Sequence, residues 1–122
     1  RQIIVVGDAR PHSEDMYQVI GILEEARAQD VQVHIVHVPQ VPDDAYMTTA
    51  SPDQADRYRE TINQHNVATQ GAFGQMAEAS GGQLVTLHRS GGLVPAIMHL
   101  TIDEVWWPAF DEFYAMYAEF CR

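Results

Sequence analysis

The stretch Ile3-Ile4-Val5-Val6-Gly7-Asp8 decides the fold. Four consecutive apolar residues rich in β-branched types read as a strand buried on both faces. Gly7 relaxes the backbone and Asp8 follows where the strand should end. In an open parallel sheet, ligands bind outside the carboxyl ends of the strands. Asp8 is therefore either a site residue or a carboxylate capping the next helix.

Working outward, Pro11-His12-Ser13 reads as a loop, with Ser13 as N-cap and Glu14 and Asp15 in a first helical turn where the dipole favours them. Met16, Val19, Ile20 and Leu23 then recur at helical spacing, and Gln29-Asp30 end the helix. Val31 to Val38 reads as a second strand. Val31, Val33 and Ile35 alternate with Gln32, His34, Val36 and Val38, a pattern that suits an outer strand better than a central one. Strand, helix and strand make a βαβ unit with parallel strands.

Residues 39–52 form a long loop with Pro39, Pro42 and Pro52. Ser51-Pro52-Asp53-Gln54 carries an N-cap, a proline at N1 and glutamine at N3, so a polar helix runs from there to about His65. A separate helix starts at Thr69 or Gln70, packs Phe73, Met76, Ala77 and Ala79-Ser80 inward, and stops at Gly81-Gly82. Leu84 to Leu87 is a third strand, Ser90-Gly91-Gly92 breaks the chain, and Leu93 to Ile102 is a helix. A last helix carries Phe110, Phe113, Tyr114, Tyr117 and Cys121 at i, i+3, i+4 spacing, with Pro108 near its start. The order predicts a single α/β domain over residues 1–122, a three-layer Rossmann-like parallel sheet with flanking helices, in which 103–122 is a helical extension. Three strands are few for so much helix, and little in the chain flanks the second edge of Ile3–Val6.

Of the 122 residues, 46% are hydrophobic, which argues against disorder. The net charge of -10, with seven basic residues and no lysine, excludes phosphate-backbone binding as a main role. No apolar run approaches the ~20 residues of a membrane helix. One cysteine, Cys121, rules out an internal disulfide, and its amphipathic setting reads as a small buried hydrophobe.

Three stretches resemble the C-terminal half of a von Willebrand factor type A (VWA) domain. Ile3-Ile4-Val5-Val6-Gly7-Asp8-Ala9-Arg10-Pro11-His12 is similar to the family's fourth strand and following loop, its Gly-Asp-Ala-x-Pro-His form matching a bacterial subgroup often found in exported proteins. Val31 to Val38 resembles its fifth strand, and Phe73 to Val85, with Gly81-Gly82, its closing helix and last strand. The resemblance implies strands 4, 5 and 6 of a 3-2-1-4-5-6 sheet. It also implies an extracytoplasmic protein and a role in protein–protein recognition of the adhesion type. The family's metal ion-dependent adhesion site would take Asp8 as a ligand to Mg²⁺. Its Asp-x-Ser-x-Ser motif is nowhere in this chain, so Asp8 is one part of an incomplete site. The open edge of Ile3–Val6 then expects a missing N-terminal segment, or a homodimer formed through that edge.

The remaining candidates are weaker. Asp8 as a phosphoryl-accepting nucleophile of a Rossmann-like hydrolase or phosphotransferase needs a second carboxylate and a cation, and Arg10 is the nearest. His34 and His37 point to opposite faces of one strand, so they cannot simply share a metal and read as polar surface or capping residues. His12 and His88 approach the sheet's carboxyl edge, and His12 is placed to hydrogen-bond the Asp8 loop. Arg10, His12, Trp106 and Trp107 are the candidate partner-binding residues, the tryptophans because the tail is richer in aromatic groups than a three-stranded sheet can bury. The sequence thus reads as a non-enzymatic recognition module, with Mg²⁺ entering only in a completed assembly. A hydrolase centred on Asp8 and a metal-free scaffold are the alternatives.

Overall fold

The computed structural model describes residues 1–87 and 92–121. The expectations for His88 and for Ser90-Gly91 lie outside them. The chain is α/β: a three-stranded, all-parallel sheet in the order β1 (Gln2–Gly7), β2 (Gln32–His37), β3 (Leu84–Thr86), flanked by helices. Helix α1 (Met16–Ala28) joins β1 to β2. A short helix α2 (Asp44–Thr49) and a long one, α3 (Pro52–Ser80), lie between β2 and β3. Helix α4 (Leu93–Thr101), a 3-10 turn over Glu104–Trp106 and α5 (Trp107–Phe120) complete the chain.

The register puts Val5, Ile35 and Leu84 in one row and Gly7, His37 and Thr86 in another. Paired residues in a parallel sheet share a face. Val33 and Ile35 face α1 and α3, where they form the core with Leu23, Phe73, Met76 and Ala77. Val36 is fully buried on the opposite face. Helix α4, with Leu100 buried, packs against β2.

Two strand expectations are overturned. Strand β2 is central, and every residue from Val33 to His37 is buried. Strand β1 has the open second edge that the sequence predicts but is not buried on both faces: Ile3 is 50%, Val5 39% and Val6 46% exposed. Apolar character set the expectation for β1, but apolar residues stay exposed where the chain supplies no neighbour. The outer edge of β1 pairs with no strand among the described residues.

The helices are corrected as well. Residues 52–80 form one helix of 29 residues, not two. Ala55, Ile62, Thr69 and Met76 recur every seventh residue and are all buried, with Phe73, Ala77 and Ser80 beside them. Thr69 is the polar member that hides this seam, and no proline or glycine interrupts residues 53–70. The capping box at Ser51 and Gln54 forms as expected. The cap of α1 does not: the helix begins at Met16 behind Asp15, which makes no side-chain cap bond, so Ser13 and Glu14 precede it. The 39–52 loop contains α2, whose Asp43 side chain accepts from the N–H groups of Ala45 and Tyr46. Cys121 is exposed: it stands past Phe120, the last residue of α5.

The α3–β3 reversal is sterically tight. Gly81 caps α3 with φ 74°, and a Cβ on Gly82 would lie 2.1 Å from the Val33 carbonyl oxygen. Gly82→Ala must therefore displace backbone, whereas a methyl on Gly71, mid-helix in α3, meets nothing within 4 Å. Urea unfolding should show Gly71→Ala stabilised by about 0.5–1 kcal/mol and Gly82→Ala destabilised by about 2 kcal/mol or more. Equal effects at the two sites would contradict the packing of the reversal on β2.

Candidate functional site

The three parallel strands end together. The Val38 N–H donates to the Gly7 carbonyl at 2.8 Å and the Leu87 N–H to the His37 carbonyl at 2.9 Å. This carboxyl edge carries Asp8 after β1 and His37 at the end of β2, and α3 passes alongside with His65, Asn66 and Thr69.

His65 holds the loop after β1. Its Nε2–H donates to the Asp8 carbonyl oxygen at 2.9 Å, and Thr69 Oγ1 lies 3.5 Å from the same nitrogen. The role expected of His12 thus belongs to His65. His12 is exposed and contributes a turn, its carbonyl accepting from the Asp15 N–H at 2.9 Å. The loop after β2 is tied to the same helix: Asn66 accepts from the Gln40 N–H and donates to the Gln40 carbonyl, each at 2.8 Å. One continuous α3 therefore positions both loops. His65 was legible in principle, since it stands four residues before Thr69 on the seam that reading the helix in two pieces concealed.

The two β2 histidines are core residues, not surface ones. His34 is 4% exposed, and its Nδ1 accepts from the Gln83 N–H at 3.0 Å, which places the ring proton on Nε2. His37 is 1% exposed and lies edge-on to Phe73 at 5.7 Å between centroids. Among the described residues, neither ring nitrogen of His37 has a partner, nor does Nε2 of His34. Burial lowers both imidazoles below their ordinary value, and for His37 the nearby His65 lowers it further while Asp8 partly offsets this. Both rings are held neutral.

Asp8 and Arg10 are exposed and make no ion pair with each other. Mg²⁺ takes six oxygens in near-octahedral array. Asp8 offers one carboxylate, and no group of three or more His, Cys, Asp or Glu among the described residues could hold a metal ion. The residues present do not by themselves fit a Mg²⁺ centre. Trp106 is 64% exposed. Trp107 is half-buried, stacked on His99 at 5.0 Å, with its Nε1 enclosed and unpartnered. Asp8, Arg10 and His12 share one loop, while the tryptophans stand at the start of α5.

No helix of the described residues is long and apolar enough to cross a membrane. Compared with protein-family models, curated proteins and solved structures, the chain matches none.

The neutral histidines set a pH dependence. Their native pKa values lie below the ordinary ~6.5 of an unfolded chain. In that window the unfolded chain binds more protons than the native one, so stability rises with pH. The contribution is complete above ~6.5 and is lost as pH falls below it. Urea midpoints should therefore drop between pH 7 and pH 5. His37→Leu, which replaces a buried ring with two unpartnered nitrogens, should flatten that slope without loss of stability at pH 7. An unchanged slope would show that His37 does not titrate as its burial requires.

Proposed function

We propose that this chain is a protein-recognition module, similar to the C-terminal half of a VWA domain, whose sheet is completed by a strand added at the outer edge of β1. The observation that carries this reading is the unpaired β1 edge. The strand Gln2–Gly7 contains no charge and no proline, and it exposes Ile3, Val5 and Val6. Natural sheets blunt free edges with lysine, proline or bulges, and β1 uses none of these. Such an edge favours β-augmentation, where main-chain bonds give affinity and alternate side chains give selectivity.

The direction of the backbone groups makes this testable. The carbonyls of Arg1 and Gly7 accept from the β2 side. Strand alternation then turns the N–H groups of Ile3 and Val5 toward β2 and those of Gln2, Ile4 and Val6 toward the open edge. Completion could come from an N-terminal segment, a second copy or another protein. The order β1-β2-β3 is the one expected for strands 4, 5 and 6 of the VWA sheet, and this agreement supports the reading at the level of topology.

Mg²⁺ belongs to this proposal only through the completed sheet, where the added segment brings the missing oxygens and Asp8 contributes one. A hydrolase centred on Asp8 has less support: the chain has no lysine, and the groups electrostatically coupled at this edge are neutral His37, His65 and Asp8 itself.

Extended peptides selected by display against the chain should be alternating apolar strands. Ile4→Pro, which removes an outward N–H, should abolish their binding with little loss of stability. Val5→Pro removes a bond to β2 and should cost about 1–3 kcal/mol. Mg²⁺ alone should leave the melting temperature unchanged. With a completing segment, Mg²⁺ should raise affinity, and Asp8→Asn should remove that gain. Selected peptides that bind Ile4→Pro as well as the parent would sink the proposal.

A further inference from the structure

Helix α5 has two apolar faces, and one of them is uncovered. Trp107, Phe110 and Tyr114 are half-buried toward α4, where Trp107 and Phe110 pack on the His99 ring. Asp111 fixes that ring through a 2.6 Å contact to its Nε2. Phe113, Met116, Tyr117 and Phe120 lie at i, i+3, i+4 and i+7 and are 59%, 60%, 55% and 90% exposed. At 100° per residue they form one stripe, spanning about 10 Å along the axis, the length of two helical turns. The rings of Phe113 and Tyr117 stack at 6.5 Å. Aromatic groups with a methionine among them make an adaptable anchor surface for a partner helix.

Charge identifies what fits it. The same geometry sets Glu112 and Glu119, seven residues apart, along one flank of the stripe. Residues 102–122 contain five acids, Asp103, Glu104, Asp111, Glu112 and Glu119, against a single arginine, Arg122. Helices that lie in a membrane interface carry basic residues on their polar face, and this one carries acids. A second copy docked through the same face would set its Glu112 and Glu119 against the same acidic flank. The complementary occupant is a helix with an apolar stripe bordered by Lys or Arg. We propose that the Phe113–Met116–Tyr117–Phe120 face of α5 docks a basic amphipathic helix of another protein, in the helix-in-groove manner. This surface is distinct from the β1 edge and does not depend on it.

The probe is a synthetic Leu/Lys peptide of about 18 residues with its leucines at i, i+3, i+4 and i+7. It is titrated by fluorescence anisotropy into the 122-residue chain. Controls are a scrambled peptide of the same composition and a Leu/Glu counterpart. The Leu/Lys helix should bind, and the scrambled and Leu/Glu peptides should bind at least about tenfold more weakly. Phe113→Ser with Phe120→Ser should lower affinity at least about tenfold with no fall in thermal stability, since both side chains are exposed. Glu112→Gln should weaken binding and reduce its salt dependence. Ile4→Pro should leave it unchanged, which separates this site from the β1 edge. Equal binding of the scrambled peptide, or full affinity in the Phe113/Phe120 variant, would overturn the proposal. So would self-association of the parent chain, or its binding to anionic vesicles, that the same variant abolishes.

Discussion

The structure depends on how the end of α3 grips the start of β2. Ser80 is fully buried, and its hydroxyl accepts from the Val33 N–H at 3.1 Å and lies 2.9 Å from the Val33 carbonyl oxygen. The β3 side of β2 needs partners for the backbone of Val33, Ile35 and His37. Strand β3 begins at Leu84, opposite Ile35, so it is too short to reach Val33. Ser80 supplies the missing rung. Directly after it, Gly82 brings the chain so close to Val33 that no side chain fits, and the Gln83 N–H donates to His34. An unpaired buried backbone group costs roughly 1–3 kcal/mol, so this side-chain substitute for a strand is what lets β2 be buried from Val33 to His37.

That grip makes the sheet asymmetric. On the β3 side, the backbone of β2 is satisfied even beyond the strand. On the β1 side, pairing runs the full length from Gln2–Gln32 to Gly7–His37 and then stops at an open ladder. The two long connections consequently meet at one end. The loop after β1 is held by His65, and the loop after β2 by Asn66, one residue along the same helix. A single helix of 29 residues thus sets both the depth of the sheet and the posture of the loop bearing Asp8.

The elements were legible in the sequence wherever local chemistry specifies them. Ser51-Pro52-Asp53-Gln54 announced its capping box, Gly81-Gly82 its helix stop, and the β-branched runs their strands. What could not be read locally was position within the sheet. Ile3–Val6 is the more apolar run, yet Val33–His37 is the buried one, because burial is conferred by neighbours that lie 50 residues further along the chain. The polar residues misled for the same reason. Thr69 is fully buried in the α3 seam, and His34 and His37 are in the core. Each looks like surface in a hydropathy pattern. The site at the carboxyl edge was half legible: Asp8 was placed by strand and glycine, whereas His65, which positions its backbone, required the continuity of α3.

The two exposed apolar surfaces differ in how they can discriminate. In the proposed β1 role the recognising groups are main-chain N–H and C=O, the same for every partner strand, and the flanking side chains carry no charge. Selectivity there must come from shape and from what stands at the strand's ends, where Asp8 and Arg10 are exposed. At α5 the recognising groups are rings and a thioether, and an acidic flank rejects acidic partners. A chain of net charge -10 without a lysine repels copies of itself at long range. That repulsion falls with distance and salt, and an uncharged strand edge is where it opposes close approach least. In the two proposed roles, the absence of charge from β1 permits a strand to be added there, and the acids along α5 restrict the partner to a basic helix.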